Sequence, residues 1–258
     1  MKKTKIIVPA LGLLLLSTAA SVTGTVAWFS MNNTASVSGM QISVNSNATY
    51  LLISNANTGD TAPANAAAIQ AENSNAGFTT LTFTDAATEL YPVAPAASFT
   101  AAQGNTPASH TEYVAGANVS DPQYWYTMIG TNATAAGYVG RTGTEALVSD
   151  LSGYVLKHTF YFTIASGANG AVDLLVDSVT ISGDTAVRCL VVGTNGSALY
   201  SATSDTDSIV LENELDSTTI VSVNVYLYYD GNADTIYTNN MANIADTTVD
   251  LTFSVTTA

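Results

Sequence analysis

Two histidines, one cysteine and 20 carboxylates are the residues from which a reactive or metal-binding centre in this chain would have to be drawn. Their spacing gives them little local support. There is no H-E-x-x-H zinc helix, no G-x-S-x-G nucleophile elbow, no P-loop and no dinucleotide-binding glycine pattern. His110 lies in a stretch rich in turn-formers, and His158 falls on the apolar face of an alternating segment, where a core or hydrogen-bonded role fits better than catalysis. Cys189 is followed by Leu190, Val191 and Val192, the surroundings of a buried thiol, whereas a nucleophilic cysteine needs a base beside it. Asp230-Gly231-Asn232-Ala233-Asp234 begins like a calcium loop, with oxygen-bearing side chains at alternate positions. Thr235 then stands where the turn needs glycine and Met241 where a bidentate carboxylate is needed, so the segment reads as a polar hairpin connection. Asp205 with Asp207 and Glu212 with Glu214 read as solvated strand edges. No catalytic residue, metal ligand or cofactor is assigned, and the chain is read as a non-enzyme.

The aromatic side chains concentrate in Tyr124-Trp125-Tyr126 and in Tyr226, Tyr228 and Tyr229. Exposed, they would make a patch for carbohydrate or a protein partner. The reading preferred here is that they fill a seam where an insertion covers a sheet, tyrosine being a common strand residue.

The elements that must position these groups are almost all strands. Tyr154, Leu156, His158, Phe160, Phe162 and Ile164 alternate with Lys157, Thr159 and Thr163; Val221, Val223, Val225 and Leu227 alternate with Ser222, Asn224 and Tyr226. Val249, Leu251, Phe253 and Val255 repeat the pattern near the C-terminus. Between Ala171 and Ser182 the apolar phase changes, which places a bulge or turn near Asp177 and Ser178. Gly183-Asp184 and Gly193, Asn195 and Gly196 mark further turns. Earlier in the chain, Met40, Ile42 and Val44, Tyr50 to Ile53 and Thr79 to Phe83 suggest strands, and Ala64 to Glu72 a short helix. From 86 to 148, four prolines among many Ala, Thr, Asn and Gly predict a long irregular insertion with one helix near Tyr124 to Ile129. The expected fold is all-β: one domain, a two-sheet antiparallel sandwich of jelly-roll type with that insertion.

Composition narrows the partners. With 20 acidic side chains, 6 basic ones and pI near 4.1, the chain would repel nucleic acid, which is bound by clustered Lys and Arg. A hydrophobic share of 47% is enough to build a core. Three of the six cations, Lys2, Lys3 and Lys5, precede the apolar run Ile6 to Leu16 and small residues after it, the pattern of a secretory signal peptide over 1–27. The rival is a retained membrane anchor, since no charge occurs from Ile6 to Met31; Pro9 and the Ser/Thr/Gly-rich part dilute that span, so cleavage with no stable anchor is expected. Cleavage after Ala27 leaves Arg141, Lys157 and Arg188 against all 20 carboxylates, and calcium would then mediate contacts between such surfaces without a dedicated site.

The segment Thr25-Val26-Ala27-Trp28-Phe29-Ser30, the polar run that follows, and Ser38-Gly39-Met40-Gln41-Ile42-Ser43-Val44 resemble the TasA/camelysin family, with its T-x-A-x-F element at the cleavage point and a following S-G strand. Val223 to Tyr229, Asp230-Gly231, Asp234 and Leu251 to Val255 are similar to the closing strands of relatives. The resemblance covers the two ends of the chain, and the long Ala/Thr/Asn-rich insertion departs from it. It implies an extracellular or cell-surface protein, processed by a SipW-type signal peptidase at Thr25, Ala27 and Trp28. Its freed segment 28–37 would enter the sheet of the next subunit, with Trp28, Phe29, Met31 and Val37 as the polymerising residues, to build a homopolymeric fibre of a biofilm matrix. The remainder, 38–258, would be the sandwich domain. The rival for 28–37 is a linker or the first strand of its own sheet. Two other functions stay open: a monomeric binding module for carbohydrate or protein, and a camelysin-like secreted metallopeptidase, for which the zinc spacing is absent.

Overall fold

The computed structural model describes residues 37–44, 51–54, 62–73, 80–85, 89–129, 144–168, 170–201, 208–233, 242–243 and 247–257. In chain order the strands and the helix are β1 (Val37–Val44), β2 (Leu51–Ile53), α1 (Ala66–Asn73), β3 (Thr80–Asp85), β4 (Glu89–Leu90), β5 (Pro92–Thr100), β6 (Ser109–Glu112) and β7 (Tyr124–Ile129). There follow β8 (Thr144–Leu147), β9 (Val155–Ile164), β10 (Val172–Ser182), β11 (Val187–Val192), β12 (Ser197–Ser201), β13 (Ile209–Leu215), β14 (Val221–Asp230), β15 (Ala242–Asn243) and β16 (Thr248–Thr257).

Apolar alternation along β9, β10, β14 and β16 gives each strand one face to bury, and two sheets meet over those faces. The first sheet has the order β13-β10-β16-β1-β3. The second runs β12-β11-β14 and branches there, to β9-β2 along most of β14 and to β5-β7-β8 from its end. Four strands of each, β13-β10-β16-β1 and β12-β11-β14-β9, stand in jelly-roll order, and the chain crosses between sheets from β9 to β10, β10 to β11, β12 to β13, β13 to β14 and β14 to β16. The inter-sheet core gathers Phe160 and Phe162 of β9, Leu174 and Val176 of β10, Val223 and Val225 of β14 and Leu251 and Phe253 of β16. Phe162 and Phe253 touch across it, ring centroids 4.8 Å apart. The expected bulge is present as a register shift between Val176 and Ser178 within one continuous β10, which returns Val179 and Ile181 to the core face.

The expected short helix is α1. Asn65 Oδ1 accepts from the Ala68 N–H at 3.0 Å and caps it, while Gln70 Nε2 donates to the carbonyls of Ile164 and Ser217 at 2.9 Å each. No helix among the described residues is long and apolar enough to cross a membrane.

Two features differ from the sequence reading. The stretch 86–148 is not irregular where it is described: β5 pairs with both β6 and β7, β7 pairs with β8, and β5 joins the second sheet through Tyr229 and Asp230 of β14. Tyr124 to Ile129 is therefore a strand and not a helix. In so short an apolar run, periodicity leaves helix and strand undecided, and the ladders on both sides of β7 settle it. The sandwich also contains two parallel pairs, β1 with β16 and β14 with β5, among otherwise antiparallel neighbours.

Three glycines carry close approaches, Gly183 within the first sheet and Gly193 and Gly196 between the sheets, where a Cβ on Gly196 would lie 2.4 Å from the Val210 carbonyl oxygen. Gly183, at the corner between β10 and β11, has φ +118, and a Cβ there would lie 2.7 Å from Thr247 Oγ1. A Cβ on Gly193, which opens the β11–β12 turn, would lie 2.2 Å from the Leu211 carbonyl oxygen of β13. Gly193→Ala should therefore cost about 2 kcal/mol or more in urea denaturation, because backbone must move to admit the methyl group. Gly116→Ala, where nothing lies within 4 Å, should stay within about 0.5 kcal/mol of the parent.

Candidate functional site

The candidate site begins at β1. Its ladder with β16 is parallel, from Met40↔Val249 to Val44↔Phe253, and its ladder with β3 is antiparallel, from Val37↔Asp85 to Ser43↔Thr80. Every other neighbouring pair in this sheet is antiparallel. The next strand in sequence, β2, belongs to the other sheet, so no hairpin turn ties β1 to either neighbour. Because the pairing with β16 is parallel, the start of β1 lies at the end of the sheet where β16 begins. Of the sequence-predicted polymerising residues, Val37 is the first residue of β1 and pairs with Asp85 in its own sheet. Thr25, Ala27, Trp28, Phe29 and Met31 lie outside the described residues.

The aromatic groups form a second feature, and burial decides its character. Alternation along β7 sends Trp125 to one face and Tyr124 and Tyr126 to the other. Trp125 packs against Tyr226 at 5.6 Å and edge-on to Tyr228 at 5.1 Å, in a second core with Tyr113, Leu190 and Val192 that lies on the outer face of the second sheet. Tyr126 takes the ring of His110 at 4.1 Å. Trp125, Tyr126, Tyr226, Tyr228 and Tyr229 are all buried. Apart from Tyr229, which joins the core between the two sheets, the clusters thus fill the seam between insertion and sheet, the preferred sequence reading, and do not form an exposed patch. An open groove of about 380 Å³ remains at its margin, lined by Tyr124, Leu147, Val148 and Lys157, with Lys157 Nζ 5.4 Å from the Tyr226 ring centre.

Polar groups complete this seam. Asp121 accepts from Tyr226 Oη at 2.8 Å and from Asn224 Nδ2 at 2.9 Å, and Asn224 Oδ1 accepts from Thr159 Oγ1 at 2.8 Å. Tyr113 Oη lies 2.9 Å from Ser197 Oγ and from the Ser120 carbonyl. Sequence reasoning passed over Asp121 and Tyr113, since their partners on β14 and β12 are remote in sequence and carry no local signal. Burial, and then donation to Asp121, push the Tyr226 hydroxyl far above the usual phenol range; burial does the same for Tyr228 and, to a smaller degree, Tyr113.

The groups scanned for chemistry are committed elsewhere. His110 Nδ1 pairs with Glu145 Oε2 at 2.9 Å, linking β6 to β8. The ring of His158 lies 6.3 Å from that of Phe160. Cys189 is fully buried and burial pushes its thiol well up, as its apolar neighbours lead one to expect. Asp230 holds the Asn232 N–H at 2.9 Å and Arg188 Nε at 3.2 Å, so the start of the calcium-like sequence closes a turn and an ion pair. Burial raises its carboxyl, against the pull of Asn232 and Arg188. Among the described residues, no group of three or more His, Cys, Asp or Glu could hold a metal ion.

Compared with family models, curated proteins and solved structures, the chain matches none.

Because Tyr113, Tyr226 and Tyr228 ionise less readily folded than unfolded, their contribution to stability is complete below the ordinary value of 10.0 and is lost as pH rises above it. Spectrophotometric titration alongside circular dichroism should show these phenols ionising only as the fold is lost. Tyr226→Phe should cost about 1–2 kcal/mol at pH 7 by denaturant melt, because Asp121 and the seam lose one hydrogen bond while the ring packing stays.

Proposed function

We propose that this chain is a secreted structural subunit of an extracellular fibre or matrix, freed by a signal peptidase after Ala27 and joined to its neighbours through the residues upstream of β1. The role is structural, not catalytic. The observation that carries the reading is the placement of β1. It stands inside the first sheet, parallel to β16, with no hairpin to either neighbour. The chain before Val37 therefore starts from the end of a sheet, and from Trp28 it has the length to extend about 30 Å.

Charge favours the same segment as the linking element. The secreted chain sets Arg141, Lys157 and Arg188 against 20 carboxylates, so two subunits repel one another except where they meet through uncharged surface. Trp28 to Ser36 carries no charged side chain and offers Trp28, Phe29 and Met31 as apolar anchors. Added as a strand to an exposed sheet edge, it would gain main-chain hydrogen bonds for affinity and pockets for those anchors. Calcium, by neutralising surface carboxylates, would ease the approach without a built site.

The chain beginning at Trp28 and one beginning at Val37, which keeps β1 whole, should differ sharply in size-exclusion chromatography and negative-stain microscopy. The longer form is expected to give an oligomer ladder and filaments, strengthened by salt or calcium, and the shorter form a monomer. Monomers from both in every condition would defeat the reading.

A further inference from the structure

The second sheet has one edge built to receive a strand. In the β11–β12 hairpin the Gly193 N–H bonds the Gly196 carbonyl at 2.8 Å, which makes Val192↔Ser197 and Leu190↔Leu199 the non-hydrogen-bonded pairs. The N–H and C=O of Ser197 and Leu199 consequently face away from β11. Ser197 is satisfied there: its N–H reaches the Gly116 carbonyl at 2.9 Å, next to the Ala117↔Gly196 bridge and the Asn118 N–H to Asn195 carbonyl bond. Continued by two residues, this antiparallel pairing would set Val114 opposite Leu199. It stops short. No backbone hydrogen bond joins Val114 to Leu199, and a groove of about 310 Å³ opens between the two segments, with Tyr113, Tyr200 and Ile209 in its lining.

The side chains beside this groove are as unusual as its backbone. Val114 is 72% exposed and Leu199 39%, two of the four large hydrophobic side chains that stand out to solvent among the described residues. The lining, from Tyr113 to Gly116, Ser197 to Tyr200 and Ile209, contains no charged residue in a chain with 20 carboxylates. An edge with outward N–H and C=O groups, an apolar trough and no charge fits an extended, uncharged, apolar-tipped segment.

We propose that this groove is the acceptor for residues Trp28 to Ser36 of the next subunit, which add as a strand against Leu199 of β12 and seat an aromatic or methionine side chain over Tyr113, Tyr200 and Ile209. The inference rests on the fibre reading above and names the surface at which one copy meets the next. The match is in chemistry: the donated segment is uncharged and carries Trp28, Phe29 and Met31, and the groove is uncharged and apolar. Each subunit then carries a donor and an acceptor in different places, a head-to-tail arrangement that propagates as an open filament.

Leu199→Asp and Val114→Asp place a carboxylate in the trough at exposed positions where the fold itself loses little, and circular dichroism should report an unchanged fold. In the chain beginning at Trp28, either variant should lower the polymerised fraction at least about tenfold. An equimolar mixture of the Leu199→Asp chain, which donates only, with the chain beginning at Val37, which accepts only, should stop at a one-to-one dimer in size-exclusion chromatography. Val114→Cys combined with Met31→Cys should give a covalent ladder under mild oxidation, Cys189 being fully buried. If the parent chain polymerises and both Asp variants do so equally well, the acceptor lies elsewhere while the fibre reading stands. If the parent chain never polymerises, the fibre reading falls and this inference with it.

Discussion

Strand β14 is buried on both faces over Val225–Tyr229, and the rest of the molecule is arranged to keep it so. Its inward residues Val223, Val225 and Leu227 join the core between the two sheets, and its outward residues Tyr226 and Tyr228 lie under Trp125 of the insertion. Burying large aromatic side chains in this way contributes about 1.5–3 kcal/mol each by area alone. The insertion is therefore a third layer that the second sheet requires. Its strand β5 continues from the end of β14 through the pairs Tyr229↔Pro92 and Asp230↔Val93. The ion pair of Arg188 with Asp230 and the Asp121 contacts with Tyr226 and Asn224 fasten the same junction.

This packing leaves little apolar surface for partners, and what remains is unevenly placed. With the aromatic clusters buried, Val114 and Leu199 are exposed among the described residues and line a common groove beside the β12 edge. The chain as a whole is acidic, so in the proposed assembly the copies would meet through uncharged contacts. A polymer held by main-chain pairing of an uncharged segment meets that constraint.

How much of this was legible in the sequence follows from how many faces of each strand are buried. β9 and β16 each have one predominantly apolar face, and period-two alternation gave them away, as did the phase change at Asp177 for the bulge in β10. β11, reading Val187-Arg188-Cys189-Leu190-Val191-Val192, shows no clean alternation because Cys189 and Val191 enter one core and Leu190 and Val192 the other. The insertion was misread as irregular because β6 and β8 are short and β5 carries Pro92 and Pro95, and β7 as a helix because Tyr124 to Ile129 is too short a run to declare a period. The aromatic seam was anticipated in kind, from Tyr124 to Tyr126 and Tyr226 to Tyr229. Asp121, Tyr113 and the groove at Leu199 were not, since each depends on pairings between segments far apart in the chain. The parallel setting of β1 likewise has no local signature.

The central claim, that the residues before β1 leave their own subunit and pair with another, is tested most directly by hydrogen–deuterium exchange of Trp28 to Ser36 in the monomer and in the assembled state. Exchange in this segment should slow by orders of magnitude on assembly, as its N–H groups enter a ladder, with matching protection at the Leu199 N–H, which faces away from β11. Equal exchange before and after assembly would mean that the segment pairs with nothing new and that the subunits are joined by another surface.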